Sequence, residues 1–496
     1  MTFIGTARRW LSRIRNRFAS RTARRSRNYE ESSEDTEDSA ENPIIDCNHM
    51  AEIEAKSGPE KLKNRAMIEA SNDFAAKFLR EFFASGSCMC ISPISISFVL
   101  AMSLAGAKGE TEAEILKLLG KGCSVKEVEA FFVDIKTVFQ LLSELEILHD
   151  ANRIYFDLSL QLLDTYKEKV TRLYGEDAFS LLDFKDSDGT VKKINSLVEE
   201  ITKGNLKDVL TADQVRNCRM ILLNALDFRG KWQTEFNRSE NATSEFRLLN
   251  GTTKKAEFMT DYRKSFWCFY CENDEMQRIC LPYKNGYLKE DGEWDYEKNK
   301  DVGEIAMYLF LPRKRKGLPK LVENLTGKKL LKWLRMMPLE NYRQRSPTVC
   351  DIVYEVHIKV PKFTIRSDLH VEDALEKNGL EHYFTENADF SGATNARLQD
   401  FTHKSSFIHK TFIKTDECGT EASAVSYKTY HDYASMAPPK IPVKYVYKNF
   451  HANRPFLYAI VSRKQHVLFI GTVMDVDEKI EAEFEDTDVD ENTNQI

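Results

Sequence analysis

Helical periods and strand runs are not interleaved in this chain, and that order limits the folds open to it. Apolar residues recur at helical spacing at Phe74, Phe78, Leu79 and Phe82, and a second apolar segment opens at Ser92-Pro93. Residues 127–144, 163–173 and 191–203 carry the same period, with Gly204 placed to stop the last of them. From Arg219 onward short β-prone runs take over, at 220–226, 265–271, 277–281, 305–311, 353–360, 407–415, 456–461 and 467–473. Helices early and strands late predict an α+β fold, with antiparallel or mixed sheets beside a helical layer rather than a βαβ repeat.

Between the strand runs at 407–415 and 456–461 lie about forty residues without a regular apolar period, far longer than an ordinary connection. They begin with Glu417-Cys-Gly-Thr-Glu-Ala-Ser-Ala-Val-Ser426, a run of small, β-compatible side chains. Such a segment can enter a sheet where neighbouring strands leave little room. The reading is of a functional loop.

The 496 residues, 42% of them hydrophobic, can bury a large core, and no Pro/Gly/Ser linker or internal repeat divides residues 66–476. One large domain is expected there. Residues 1–65 read as an extension that is basic and then acidic: residues 1–29 hold nine Arg and no acid, residues 30–46 eight acids and no base. Residues 477–496 read as an acidic tail, and composition predicts disorder for both ends. The body is near neutral and demands no nucleic-acid partner.

Trp10, Ile14 and Phe18 fall at helical spacing among the arginines. A membrane-surface helix, a transit peptide, a nuclear signal and a solvated tail all stay open. There is no uninterrupted apolar segment of a secretory signal, and no apolar run near the roughly 20 residues that span a bilayer. Against an intracellular address stand four glycosylation sequons, at Asn237, Asn241, Asn250 and Asn324. Extracellular and cytoplasmic locations therefore both remain open.

No motif for catalysis is present. The chain lacks a GxSxG elbow, an HExxH pair, a phosphate-binding loop and a dinucleotide-binding glycine fingerprint. Cys268-Phe-Tyr-Cys271 lies in a strand-like stretch where positions three apart face opposite ways, so neither a metal nor a redox role is expected. No cofactor is expected either. His409, flanked by apolar residues, reads as a buried structural histidine.

Eleven motifs in fixed order then carry a family resemblance. They begin with Ser92-Pro-Ile-Ser-Ile96, Gly106-Ala-Lys-Gly109, Ala151-Asn-Arg-Ile-Tyr155, Ile194-Asn195 with Thr202-Lys-Gly204, and Asn224-Ala-Leu-Asp-Phe-Arg-Gly-Lys-Trp232 with Phe236. They continue with Val360-Pro-Lys-Phe363, Ala388-Asp-Phe-Ser-Gly392, His409-Lys410, Glu417-Cys-Gly-Thr-Glu421, Asn453-Arg-Pro-Phe456 and Phe469-Ile-Gly471. From Ala66 to Val476 the chain resembles the serpins, the large family of serine protease inhibitors. The resemblance implies three β-sheets, about nine helices and an exposed reactive-centre loop. It also implies a suicide mechanism, in which a protease cuts the loop, is held as an acyl-enzyme, and is carried along as the loop inserts in the main sheet. Serpin loop insertion is itself a standard example of strand addition and of stored strain.

The family's hinge falls on Glu417, Gly419, Thr420, Ala422, Ser423, Ala424, Val425 and Ser426. Counting alternate positions from Thr420, the inward set is Thr420, Ala422, Ala424 and Ser426, all small. Beyond it the inward parity reaches Lys428, Tyr430 and Asp432, whose burial is costly. The family's loop length puts the scissile bond at Tyr433-Ala434, suited to a chymotrypsin-like protease. The segment from Tyr433 to Phe450 is longer than the common pattern, so Lys440-Ile441, with a trypsin-like target, is the alternative.

Ser92, Ser95, Asn224 and His409 match a hydrogen-bonded cluster where the main sheet opens. Lys362 and Glu417 match a salt bridge at its top, with Trp232 packed nearby. The implied partner is a target serine protease in covalent complex, with a cysteine protease as a variant and a monomer as the working form. Arg313 to Lys316, Lys320, Lys328, Lys329, Lys332 and Arg335 allow a polyanion such as a glycosaminoglycan. A non-inhibitory carrier or chaperone on the same fold is the competing reading.

Overall fold

The structure is a computed structural model. It describes residues 59–83, 87–216, 218–264, 268, 270–284, 287–288, 294–295, 305–335, 352–395, 406–420, 444–462 and 465–476. These belong to one compact unit. Of the extension expected over residues 1–65, residues 59–65 are helical, and the rest, like residues 477–496, lies outside the described residues.

The first half is mainly helical. Helix α1 (Pro59–Phe82) leads to β1 (Met89–Ile91), α2 (Pro93–Leu104), α3 (Gly109–Leu119) and α4 (Val125–Glu144). Then come β2 (Leu148–Asp157), α5 (Asp164–Tyr174), β3 (Phe179–Leu182), α6 (Ser187–Ile201) and α7 (Ala212–Arg216). Helix α1 begins well before its apolar period, with Pro59 at its start, where the missing N–H costs nothing. In its last turns Phe74 stacks on Phe78 at 4.1 Å. Ser124 starts α4 with a reciprocal capping box to Glu127. Helix α2 is buried on every side, so it is a core helix rather than a surface one.

Strands dominate the rest: β4 (Met220–Phe228), β5 (Ala242–Arg247), β6 (Thr253–Lys264), β7 (Cys271–Glu272), β8 (Met276–Pro282), β9 (Tyr287–Leu288), β10 (Trp294–Asp295) and β11 (Ile305–Pro312). After α8 (Leu318–Glu323) and α9 (Gly327–Arg335) come β12 (Ile352–Pro361), β13 (Phe363–His370), α10 (Glu372–Lys377), β14 (Ser406–Asp416), β15 (Gly419–Thr420), β16 (Lys444–His451), β17 (Phe456–Ser462) and β18 (Val467–Val473). Ten α-helices thus stand among the described residues, against about nine expected.

Three sheets and one short hairpin result. A central sheet runs β13-β14-β4-β2-β3, with β15 paired to β14. An antiparallel sheet runs β1-β18-β17-β11-β8-β7, and a third runs β16-β12-β6-β5. The segment 284–303 carries the β9–β10 hairpin. The strand expected at 265–271 is corrected where it is described: Cys268 lies in a helical turn and pairing begins only at Cys271.

Strand β4 explains its unbroken apolar run, because it is buried on both faces. Leu222, Leu226 and Phe228 join the main core with α2, while Ile221, Leu223 and Ala225 meet Ile194 and Val198 of α6 on the other side. Each such side chain contributes about 1.5–3 kcal/mol on burial. The feature that decides what this sheet can do is its middle pair. Strands β14 and β4 are direct neighbours and parallel, in register from Ser406↔Ile221 to Ile413↔Phe228.

Candidate functional site

At the end of β14 the chain turns back on itself. The Asp416 carboxylate accepts from Cys418 N at 2.8 Å and Gly419 N at 3.3 Å, closing a tight side-chain turn. Gly419 has φ +154°, and a Cβ there would lie 2.1 Å from the Gly230 carbonyl oxygen. Only glycine fits.

Thr420 and Gly419 pair antiparallel with Thr415 and Asp416 of β14. On their other side Gly419 bridges Lys231 antiparallel, and Thr420 N donates to Gly230 O at 2.6 Å. The two-residue strand β15 therefore already lies between β14 and the chain leaving β4. Since β14 and β4 are parallel, a strand that turns back between them is antiparallel to both. This is the one direction in which a segment leaving β14 by a tight turn can be added.

The turn is fastened on three sides. Trp232 Nε1 donates to Asp416 O at 2.8 Å, Trp232 N to Cys418 O, and Phe236 N to Glu417 O, both at 2.9 Å. Trp232 stacks on Tyr283 at 4.5 Å, and the Tyr283 hydroxyl meets Thr420 Oγ1 at 2.8 Å. Lys362 Nζ lies 2.7 Å from Glu417 Oε1 and 2.8 Å from Glu257 Oε2, and Asn241 Nδ2 donates to Glu417 Oε1. Burial pushes the Glu417 carboxyl up, but the Lys362 ammonium, its own backbone N–H and Asn241 outweigh that and hold it below the ordinary value. Burial likewise works against the Lys362 charge, and Glu257 and Glu417 outweigh it, leaving its pKa raised.

A second cluster sits in the middle of the sheet. Register aligns Asn152 of β2 with Asn224 of β4, and Asn224 with His409 of β14. Asn224 and His409 are fully buried. Ser92 N, at the start of α2, donates to His409 Nε2 at 3.3 Å, so that nitrogen is bare and the ring carries its proton on Nδ1, which donates to Asn224 Oδ1. Ser95 Oγ donates to the same Oδ1 at 3.0 Å. Asn224 Nδ2 continues the chain to Asn152 Oδ1, and Asn152 Nδ2 to Asp150 Oδ2 at 2.8 Å. Burial drives the His409 pKa down to about 3, so the ring is neutral at pH 7. Burial raises Asp150 to about 6, against the Asn152 hydrogen bond, although the residue as a whole keeps some exposure.

The structure thus brings Ser92, Ser95, Asn224 and His409 into one network, and Trp232, Lys362 and Glu417 into another, with Gly419 and Thr420 beside the second. Hinge residues Ala422, Ser423, Ala424, Val425 and Ser426 lie outside the described residues, as do the scissile candidates Tyr433, Ala434, Lys440 and Ile441. Sequence reasoning passed over Asn152, Asp150, Tyr283 and Asn241. Asn152 stood inside a quoted motif, but only strand register reveals its partner. Asn241 was read as a sequon, whereas its amide is engaged with Glu417.

Cys418 Sγ accepts from Arg238 Nη2 at 3.1 Å, and Cys88 Sγ bonds the backbone of Met474 and Asp475. Among the basic residues, Arg313 pairs with Glu272 and Lys329 with Glu275.

Comparison with known proteins gives this geometry a relation. A family model described as Serpin (serine protease inhibitor) matches residues 69–476. Serpin B10 of Plecturocebus moloch is 29% identical over 432 residues, covering 82% of this chain and 98% of that protein. Leukocyte elastase inhibitor A of Rattus norvegicus is 28% identical over 390 residues, covering 77% and 91%. The crystal structure of human thyroxine-binding globulin in complex with thyroxine superposes with a TM-score of 0.64 at 24% identity, covering 83% of this chain and 99% of that one.

Proposed function

The chain belongs to the serpin family, generally inhibitors of serine proteases rather than enzymes, and from that premise we propose that it is a single-use inhibitor of a chymotrypsin-like endopeptidase. The protease serine attacks the Tyr433 carbonyl, the Tyr433–Ala434 bond breaks, and the Ala434 amine leaves with a proton from the protease histidine. The freed loop then continues the strand begun at Gly419 and Thr420, between β14 and β4, and draws the acyl-enzyme with it. The observation that carries this reading is β15: two residues already paired on both sides, antiparallel to β14 and to the bridge at Lys231.

Inserting a strand there exchanges the β14–β4 ladder for two antiparallel ladders, so the chain gains backbone pairing once the cut lets the loop travel. The small inward set Thr420, Ala422, Ala424 and Ser426 suits a strand laid over α2. We assign Asn224, His409, Ser95 and Ser92 the task of keeping the sheet closed beforehand, and Lys362, Glu417 and Trp232 that of holding its top. A trypsin-like protease cutting at Lys440-Ile441 is one variant of this proposal, and a cysteine protease target is another. A polyanion partner would act through Lys314, Arg315 and Lys316, since Arg313 and Lys329 are already paired with acids.

One observation favours a second reading, a serpin-fold carrier or chaperone. The inward positions Lys428, Tyr430 and Asp432 resist burial. Incubation with chymotrypsin and with trypsin, followed by denaturing gels and mass spectrometry of the released peptide, separates the two. A covalent complex with cleavage after Tyr433 is expected. Cleavage without complex and without a large rise in melting temperature would instead establish the carrier reading. Among the described residues, no helix is long and apolar enough to cross a membrane.

A further inference from the structure

The third sheet carries an arrangement that the inhibitory reading does not use. His357 of β12 and His451 of β16 stand on adjacent parallel strands, where Lys359 pairs with His451 and Asn449 with His357. His357 Nδ1 and His451 Nε2 face each other at 3.0 Å, with the rings at 89°. Tyr262 of β6 stacks on His357 at 4.3 Å and 6°, fixing the plane of that ring. Both imidazoles are only part-buried, so the pair is open to small solutes.

We infer that His357 and His451 form a binding site for a divalent transition metal of the zinc, nickel or copper class. Two imidazole nitrogens at Zn–N distances of about 2.0–2.1 Å and a tetrahedral angle stand roughly 3.3 Å apart, so the pair needs to spread by only a few tenths of an ångström. On binding, the proton between the two nitrogens moves to the outer nitrogen of its own ring, and no net proton is released. The rings are available in the neutral form at pH 7. Burial lowers both pKa values, Lys359 lowers both further, and His357 lowers His451, while Glu240 acts the other way on His357. Imidazole is the ligand that this metal class prefers.

The described residues hold no group of three or more His, Cys, Asp or Glu arranged to hold a metal ion. The described residues therefore supply two ligands, with water in the remaining positions. Glu240, exposed on the 3-10 turn Arg238–Glu240, is near enough for its charge to be felt at His357 and is placed to approach a bound cation.

The consequence is mechanical. Among the described residues strand β16 is the edge of its sheet, paired only with β12. Metal at this site ties that edge to its neighbour 94 residues earlier. The site stands whether or not the chain inhibits a protease.

The test uses the full chain with Zn²⁺ and Co²⁺ as probes. Zinc, measured by competition with a chromophoric indicator, is expected to bind in the parent, with affinity falling at least about tenfold in H357A and in H451A and less in E240Q. Cobalt is expected to give an absorption spectrum without thiolate charge-transfer bands, which excludes binding at the cysteines. Amide hydrogen exchange in β16 is expected to slow with zinc in the parent but not in H357A, a readout that does not depend on comparing variant stabilities. Equal affinity in parent and variants, thiolate bands, or unchanged exchange in β16 with zinc bound would each overturn the assignment.

Discussion

Two clamps hold strand β14 at its end and in its middle, and they are made of opposite materials. At the top of the central sheet the clamp is ionic: the Glu417 side chain, 7% exposed, is held by Lys362, 31% exposed, with Asn241 and Glu257 completing the network. In the middle it is neutral, a row of amide, imidazole and hydroxyl groups from Asn152 through Asn224 to His409 and α2. The contrast shows how one sheet can be closed yet ready to open. The neutral row is shut off from water and indifferent to salt, so losing one member leaves several groups unpaired. The ionic clamp is partly wet, so it can yield first, at the point where β15 has already begun.

Breaking the middle clamp should have the largest effect. Asn224→Ala strands His409 Nδ1–H and Asn152 Oδ1 together and leaves Ser95 Oγ only the Ser92 carbonyl, and is expected to cost about 3–4 kcal/mol in urea unfolding. It should also speed spontaneous conversion to inactive forms. Lys362→Ala leaves Glu417 with Asn241 and its own backbone N–H, and should cost about 2 kcal/mol after allowance for solvent screening at the lysine. That cost should appear mainly as faster exchange of the amides at 416–420. If the two variants destabilise equally and open the same amides, the two clamps are one unit and the contrast fails.

A pH series sharpens the comparison. His409 has a folded pKa of about 3 against an ordinary 6.5, so between these values only the unfolded chain takes the proton and stability falls as pH falls. Asp150 has the opposite sign. Its folded pKa of about 6 exceeds the ordinary 3.8, so its cost is full above pH 6 and fades as pH falls towards 4. Asp150→Asn should therefore stabilise the protein at pH 7 by about 1–2 kcal/mol. It should also steepen the loss of stability between pH 6 and 4. Glu417 enters later: its folded pKa is depressed, so its contribution is present above 4.5 and is lost as pH falls below that. The smallest expected effect is at Tyr283, where Tyr283→Phe removes the hydroxyl on Thr420 and should cost about 1 kcal/mol by thermal unfolding.

The sequence made some of this legible and hid the rest for physical reasons. Strands β4, β11, β17 and β18 are buried on both faces, and their continuous apolar runs announced them. Gly419 and the small residues around it were legible because sterics act within a few residues. Pairing was not. His409 and Asn224 are 185 residues apart, and nothing local states that β14 lies parallel to β4. Asp150 and Asn152 lie on β2, which was not read as a strand, and only register sets Asn152 beside Asn224. The stretch at 265–271 misled because its aromatic β-propensity says nothing about the tertiary context that puts Cys268 in a helical turn.

The central claim is that a loop strand enters between β14 and β4. Lys410 and Ala225 are register partners across that seam, and neighbouring strands bring Cα atoms to a spacing that a disulfide can bridge. In the double variant Ala225→Cys with Lys410→Cys, the oxidised protein should be cleaved by chymotrypsin as a plain substrate, with no covalent complex and no thermal gain. Reduction should restore the complex. A cross-linked protein that still traps the protease with full stoichiometry would contradict the account.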